Sequence, residues 1–218
     1  MKTKKENWRI TALFAISFAG VVLSISCAYK ADRETIHLYI RASEFYTAGN
    51  FAETCNVLDG IEKFPPALVL KGKAEYFSGR LDDAEKSFRL AVKKRPSAFE
   101  ARLYLARVIR EKGDLAAAMK ITESLLADYP QDIRTLYLAA ELADEMGNGA
   151  EALLLMDRAA EFSADCAMIL LGRARMRWVL GRGADALEDL SRARAMLPWN
   201  TPLANSIINL ETRIREAL

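Results

Sequence analysis

Histidine is nearly missing from this chain: His37 is the single one in 218 residues. No serine–histidine or cysteine–histidine set with a catalytic signature can be assembled around it, so those routes to nucleophilic catalysis drop out. His37 reads as a surface or end-face residue near the start of the first helix. Neither sign of charge dominates, with 31 basic and 29 acidic groups and a formal net charge of +2. A nucleic-acid binder needs a clear basic excess, which excludes that class. The pair Gly181 and Gly183 has no strand before it and cannot form a phosphate-binding loop. Cysteine is limited to Cys27, Cys55 and Cys166.

What is present is periodic. Gly79, Gly113, Gly147 and Gly181 recur every 34 residues, and Ala84, Ala118, Ala152 and Ala186 follow each at the same offset. A glycine at that phase allows the left-handed turn that ends one helix, and the alanine lets the next helix pack closely. The period therefore predicts a copied helical hairpin. Gly49 lies 30 residues before Gly79, with Thr54, Leu58, Ile61 and Pro66 in the matching phase, which adds a divergent first unit. Pro66, Pro96, Pro130 and Pro198 share one phase, broken at Ala164, and are expected to end the second helix of each hairpin. The units run approximately 35–68, 65–98, 99–132, 133–166 and 167–200, with an irregular or tight first junction.

These residues resemble the tetratricopeptide repeat family over roughly three quarters of the chain. Its eighth position, which is small, is occupied by Ala42, Gly72, Ala106, Ala140 and Ala174. Its fourth holds Leu38, Leu68, Leu136 and Leu170, with Arg102 departing and Leu103 expected to take over by a small rotation. At the eleventh, Phe45 and Ile109 fit, whereas Glu75 and Arg177 do not, and the neighbouring Tyr76 and Trp178 are expected to supply the bulk. The resemblance implies an all-α, right-handed superhelical solenoid of about five such hairpins over 35–200, closed by a C-terminal capping helix within 201–218.

Local signals agree with helical hairpins. Ser97 and Glu100 form a capping-box pattern, and Asp114 or a neighbour opens the helix after Gly113. Ala84, Phe88, Ala91 and Val92 recur at spacings of three and four, the signature of one buried face, opposite Asp83, Glu85, Lys86, Arg89 and Lys93. Thr201 and Pro202 read as N-cap and first position of the last helix, about 202–217. Its stripe of Leu203, Ile207, Leu210 and Ile214 covers the last repeat, with Asn205, Glu211, Arg213 and Arg215 turned to water.

The N-terminus obeys other rules. Lys2, Lys4, Lys5 and Arg9 precede an uncharged run from Ile10 to Tyr29, and the composition turns polar at Lys30. This is an export or anchoring segment. It reads as a cleaved signal peptide, a lipoprotein signal ending at Cys27, or an uncleaved inner-membrane helix with its basic end in the cytoplasm. Cys27 stands where the run stops, after Leu23, Ser24, Ile25 and Ser26, and resembles a bacterial lipobox with leucine one place early. The favoured reading is a lipoprotein with signal 1–26 and a lipid-attached tether 27–34, facing the periplasm. Each buried acyl methylene contributes about 0.8 kcal/mol, so several palmitate-like chains anchor firmly. Ala28, by the enteric sorting rule, favours the outer membrane. Removing 1–26, with four basic groups and one acidic, takes the charge from +2 to −1.

Two charged clusters and two thiols need a reading. Arg173, Arg175, Arg177, Arg182, Arg192 and Arg194, diluted by Asp185, Glu188 and Asp189, are expected to form a solvated face, with an acidic-partner patch as the alternative. Glu141, Asp144 and Glu145 share one helix side near Arg134 and read as a solvated or partner-facing acidic strip; an enzyme would need a carboxylate site of this kind. Cys55 and Cys166 sit in the first and fourth units, too far apart in a solenoid to pair, and are expected to be buried free thiols.

The resemblance also implies where a partner binds. In the family the first helices line a concave face, and positions two, five, nine, twelve and thirteen of each unit point into it. Carried over at positions five, nine and twelve, this gives Tyr39, Ser43 and Tyr46, then Val69, Lys73 and Tyr76, then Leu103, Arg107 and Arg110. Tyr137, Glu141 and Asp144 follow, and Leu171, Arg175 and Trp178 close the row. Aromatic and arginine side chains are the usual anchors of interfaces, so a segment of a partner protein is the expected ligand. The family's terminal-carboxylate clamp uses lysine with asparagine, and no asparagine stands at these positions. The expected function is a non-catalytic adaptor of the bacterial envelope that needs no cofactor and binds another envelope protein. The alternatives are an accessory subunit of an envelope transport or secretion system and a self-associating structural protein.

Overall fold

The computed structural model describes residues 31–163, 166–198 and 201–218. The basic leader, the uncharged run, Cys27 and Ala164 lie outside the described residues. Within them the chain forms eleven helices and no strand. Helices α1 (Arg33–Thr47) and α2 (Phe51–Leu58) make the first hairpin, and α3 (Pro65–Phe77) with α4 (Leu81–Lys94) the second. The third is α5 (Phe99–Glu111) with α6 (Leu115–Asp128), and the fourth α7 (Ile133–Glu145) with α8 (Gly149–Phe162). The fifth pairs α9 (Ala167–Val179) with α10 (Gly183–Ala195), and α11 (Pro202–Ala217) follows.

Each helix packs on its neighbours in sequence. Beyond these, α1 touches α3, α3 touches α5, and the series continues through α7 and α9 to α11, whereas no such contacts join the second helices. The first helices thus gather on the inner side of a solenoid and the second helices splay outside.

The turns explain the glycine period. Gly49, Gly79, Gly113, Gly147 and Gly181 all have φ between +75° and +89°, a region that costs other L-residues about 1–2 kcal/mol. At Gly79 the amide donates to the Tyr76 carbonyl and the next amide, Arg80, reaches back to Glu75 at 2.9 Å, which satisfies carbonyls left open at the helix end. The small residues explain the packing. Ala42, Ala84, Ala106, Ala118, Ala140, Ala152, Ala174 and Ala186 are completely buried. At Gly72 an added Cβ would stand 2.8 Å from the Phe88 ring, so in this hairpin the small eighth position accommodates a large neighbour.

The cap is built as its pattern indicates. Thr201 Oγ1 accepts from the Ala204 amide at 3.1 Å, and Pro202 opens α11. Ile207 and Ile214 are fully buried, with Leu203 and Leu210 packed beside them against Leu190 and Ala193. Asp114 caps α6 through the Ala117 amide at 3.0 Å.

Several expectations are corrected. Ser97 caps nothing: Ala98 is the N-cap of α5, and the Glu100 carboxylate turns away to Lys73. Pro66 does not end α2, which stops at Leu58 after 8 residues where α4, α6 and α8 have 14. The short first spacing is absorbed there, and Pro65 and Pro66 start α3, where their missing amides cost nothing. Arg102 stays near its position and bridges to Asp128 at 2.5 Å and Ser124 at 2.8 Å, while Leu103 is buried.

Helices α3 and α9 also keep their phase. Glu75 is only 3% exposed and accepts from Ser87 Oγ at 2.6 Å, and Arg177 donates to Asp189 at 2.8 Å. Polar residues therefore fill the eleventh position with polar partners. The arginine-rich stretch is likewise not one solvated face, because Arg173 also turns inward and grips Asp189 at 2.6 and 2.9 Å. Both described thiols are free, but Cys166 is only half-buried at the N-cap of α9. Among the described residues no helix is long and apolar enough to cross a membrane.

Candidate functional site

The first helices present their fifth, ninth and twelfth positions on the inner side, and all but one of the eleven candidate partner residues there are half-buried. Arg175 is the exception and is exposed. This suits a surface that is ordered before binding yet accessible.

Toward the N-terminal end the site is aromatic. Tyr46 of α1 lies 5.7 Å from Phe51 and 6.2 Å from Phe77, and Phe77 lies 5.2 Å from Tyr76, which in turn meets Tyr104 of α5 at 6.0 Å. Three successive hairpins thus contribute to one ladder of rings. Cations flank it: Lys73 Nζ stands 4.9 Å from the centre of the Tyr104 ring and the Arg107 guanidinium 5.1 Å. Lys73 also pairs with Glu100. Arg107 forms no ion pair among the described residues. Burial pushes the Tyr46 and Tyr76 hydroxyls above the ordinary tyrosine range, with Tyr104 and Glu100 adding to Tyr46 and Glu111 adding to Tyr76. Below the ladder, Tyr39, Val69, Lys73 and Phe99 line an open cavity of about 400 Å³.

The middle and C-terminal stretch is charged, and most of its charge is already matched. Arg110 of α5 reaches across to α7, pairing with Glu141 at 2.6 Å and Glu145 at 2.9 Å. These pairs hold the guanidinium above its ordinary pKa against the opposing effect of burial. Arg134, the expected neighbour of the acidic strip, instead bonds Asp132 at 3.0 Å and stacks on Phe99 at 4.6 Å. Tyr137, Glu141, Asp144 and Arg175 surround a cavity of about 150 Å³ floored by Met156, Gly172 and Met176. Burial, then the Glu141 carboxylate, pushes the Tyr137 hydroxyl up to about 12. Trp178 packs against the buried cluster that joins α9 and α10 to the cap, apart from the other candidates.

The structure therefore groups Tyr46, Lys73, Tyr76 and Arg107 around Tyr104. It groups Arg110, Tyr137, Glu141, Asp144 and Arg175 around the smaller cavity, and leaves Tyr39 at the larger one. Glu145, at position thirteen, was read only as part of the acidic strip, and sequence reasoning missed Phe77, also at position thirteen, and Glu100 and Arg134 at position two. The same pattern names those positions, so the signal was there. Tyr104, at position six, has no such signal; it emerges only from packing, stacked on Phe88 at 5.6 Å. Among the described residues no group of three or more His, Cys, Asp or Glu side chains could hold a metal ion.

Comparison with known proteins supports the repeat reading. The tetratricopeptide repeat family model matches residues 69–133, spanning most of the second and third hairpins. No curated protein matches the sequence. Among solved structures, the chain is similar to MamA (residues 41-end) from Desulfovibrio magneticus, with 18% identity over 77% of this chain and 97% of that one, at a TM-score of 0.67. A thermophilic tetratricopeptide repeat protein of Thermus thermophilus superposes with TM-score 0.66 at 16% identity, covering 84% of this chain and 98% of the other. A tetratricopeptide repeat protein from Parabacteroides merdae gives TM-score 0.68 at 19% identity, over 94% and 80%. At such identities the likeness shows a shared solenoid fold.

Proposed function

We propose that this protein is a non-catalytic adaptor, tethered by lipid on Cys27 to a bacterial envelope membrane, that holds a segment of another envelope protein against its inner face. A tetratricopeptide scaffold suggests protein–protein interaction. The observation that carries the reading is the inner surface itself: an ordered, half-exposed row of tyrosines and arginines contributed by successive hairpins. Tyrosine and arginine are enriched among the few residues that carry most of the energy of protein interfaces.

The envelope part rests on the sequence before the repeats: basic residues, an uncharged run of twenty residues from Ile10 to Tyr29, and Cys27 within its end. The outer membrane is the favoured site, and an uncleaved inner-membrane anchor is the alternative. Intact mass of the membrane-extracted protein tests it. A mass for residues 27–218 plus acyl chains is expected, and Cys27→Ser should abolish that species; an unmodified full-length chain would refute lipidation.

Self-association is favoured by one observation. Ile36 and Ile40, one turn apart on α1, are 45% and 51% exposed among the described residues. Light scattering at two concentrations separates a self-assembling chain from a monomeric adaptor.

A further inference from the structure

We infer that a recess on the outer side of hairpins one and two, between α2, α3 and α4, binds a free α-amino acid with an apolar side chain. The recess shares no residue with the inner-face candidates, and its function goes beyond the adaptor reading.

The shortness of α2 creates the opening. That helix has 8 residues where α4, α6 and α8 have 14, so about one and a half turns are missing beside α3. The resulting recess holds about 420 Å³, within the range of small-molecule sites. Most charges around it are already matched. Lys71 bridges Asp59 and Glu62 at 2.7 Å each, and Lys86 pairs with Asp83 at 3.1 Å. Leu68 and Leu90 supply apolar wall.

Two charges in the recess are left over, and they are of opposite sign. Glu75 is 3% exposed; its Oε2 accepts from Ser87 Oγ at 2.6 Å, while its Oε1 has no hydrogen-bond partner among the described residues. Arg80 lines the same recess and makes no ion pair among those residues. Its Nη2 donates to Cys55 Sγ at 3.0 Å, and sulfur is a weak acceptor. Glu75 and Arg80 do not pair with each other, so a ligand that joins them must bring both complements. An α-amino acid carries an ammonium and a carboxylate on one carbon. Its ammonium donates to Glu75 Oε1 and its carboxylate accepts from the Arg80 guanidinium, both as charge-assisted hydrogen bonds. The side chain then lies against Leu68 and Leu90. Burial raises the pKa of Glu75, and an ammonium beside it restores the charged form. A simple amine leaves Arg80 unmatched, and a simple carboxylate leaves Glu75 unmatched and adds a like charge near it.

The test is isothermal titration calorimetry of the full chain with L-leucine. Two analogues accompany it: isoamylamine, which lacks the carboxylate, and isocaproate, which lacks the ammonium. Saturable binding of leucine is expected, with each analogue at least about tenfold weaker. Arg80→Ala and Glu75→Gln should each weaken leucine about tenfold, and Arg213→Ala on the cap should leave it unchanged. No saturable binding of leucine up to about 10 mM, equal binding of either analogue, or undiminished binding by Arg80→Ala would overturn the inference. An equal loss with Arg213→Ala would do the same. Circular dichroism verifies that each variant remains helical. Arg80 is exposed, so its variant and the two analogues keep the test decisive if Glu75→Gln unfolds.

Discussion

Hairpins two and five place opposite chemistry at the same two positions. In hairpin two the buried Glu75 faces Ser87 twelve residues later; in hairpin five Arg177 faces Asp189, also twelve residues later. Hairpins three and four put Ile109 with Ile121 and Ala143 with Leu155 at the equivalent places. A solenoid seam thus accepts polar groups when both members change together, because a buried polar atom is tolerated once it is hydrogen-bonded. The carboxylates of the two polar seams differ in how completely they are satisfied, while the buried Arg177 Nε has no hydrogen-bond partner among the described residues. Asp189, 1% exposed, receives three guanidinium hydrogen bonds from Arg173 and Arg177, with Asp157 adding a contact to Arg173 at 3.3 Å. Glu75 has one hydroxyl, and burial raises its pKa despite the opposing pull of Ser87, Lys71 and Arg80.

The largest effect is expected from Asp189→Ala, which strands two half-buried arginines and should cost about 3–5 kcal/mol in denaturant unfolding. A loss below about 1 kcal/mol would mean that water replaces the carboxylate and the seam is not structural. Next comes Ala118→Leu in hairpin three, whose seam is apolar. Overpacking that fully buried site should cost about 1–3 kcal/mol with no added pH dependence, and unchanged thermal stability would break the assigned register.

Glu75→Gln sharpens the contrast from the other side. Because the folded-state pKa of Glu75 is raised, its favourable contribution is present below the unfolded-state value and is lost as pH rises through the folded one. The wild type should therefore gain stability relative to Glu75→Gln as pH falls from neutral toward the ordinary carboxylate range. Unfolding curves at several pH values check this; parallel pH profiles would remove the buried acid from the account. The smallest effect on stability is expected from Arg107→Ala combined with Tyr137→Phe, which should leave the melting temperature nearly unchanged while weakening partner capture. Retained capture would move the site off the inner face.

The fold was legible because its signals are local and repeated. A glycine in the left-handed region, an alanine at a helix crossing and a threonine N-cap act through the backbone, and five copies fix one phase. What escaped depends on contacts between helices. Glu100 fits a capping box by spacing, yet Lys73 of the preceding hairpin outcompetes the Ser97 amide for it. Glu75 and Arg177 look like phase errors until Ser87 and Asp189 are seen across the seam. The groove was partly legible for the same reason. Its positions follow from the repeat, but the Arg110 bridge to Glu141 and Glu145, which neutralises the centre, is a choice of rotamers across two units. Tyr104 belongs to no patterned position and becomes central only through Phe88 beneath it and two cations beside it.

The central claim is that the inner face holds a partner protein. Site-specific photocrosslinking in the native host tests it most directly, with the photoreactive residue placed at Arg107 or Arg175 on the inner face and at Leu90 or Leu154 on the exposed outer helices. The expected result is one dominant adduct, captured from both inner positions and from neither outer one. Adducts from the outer positions alone would contradict the account.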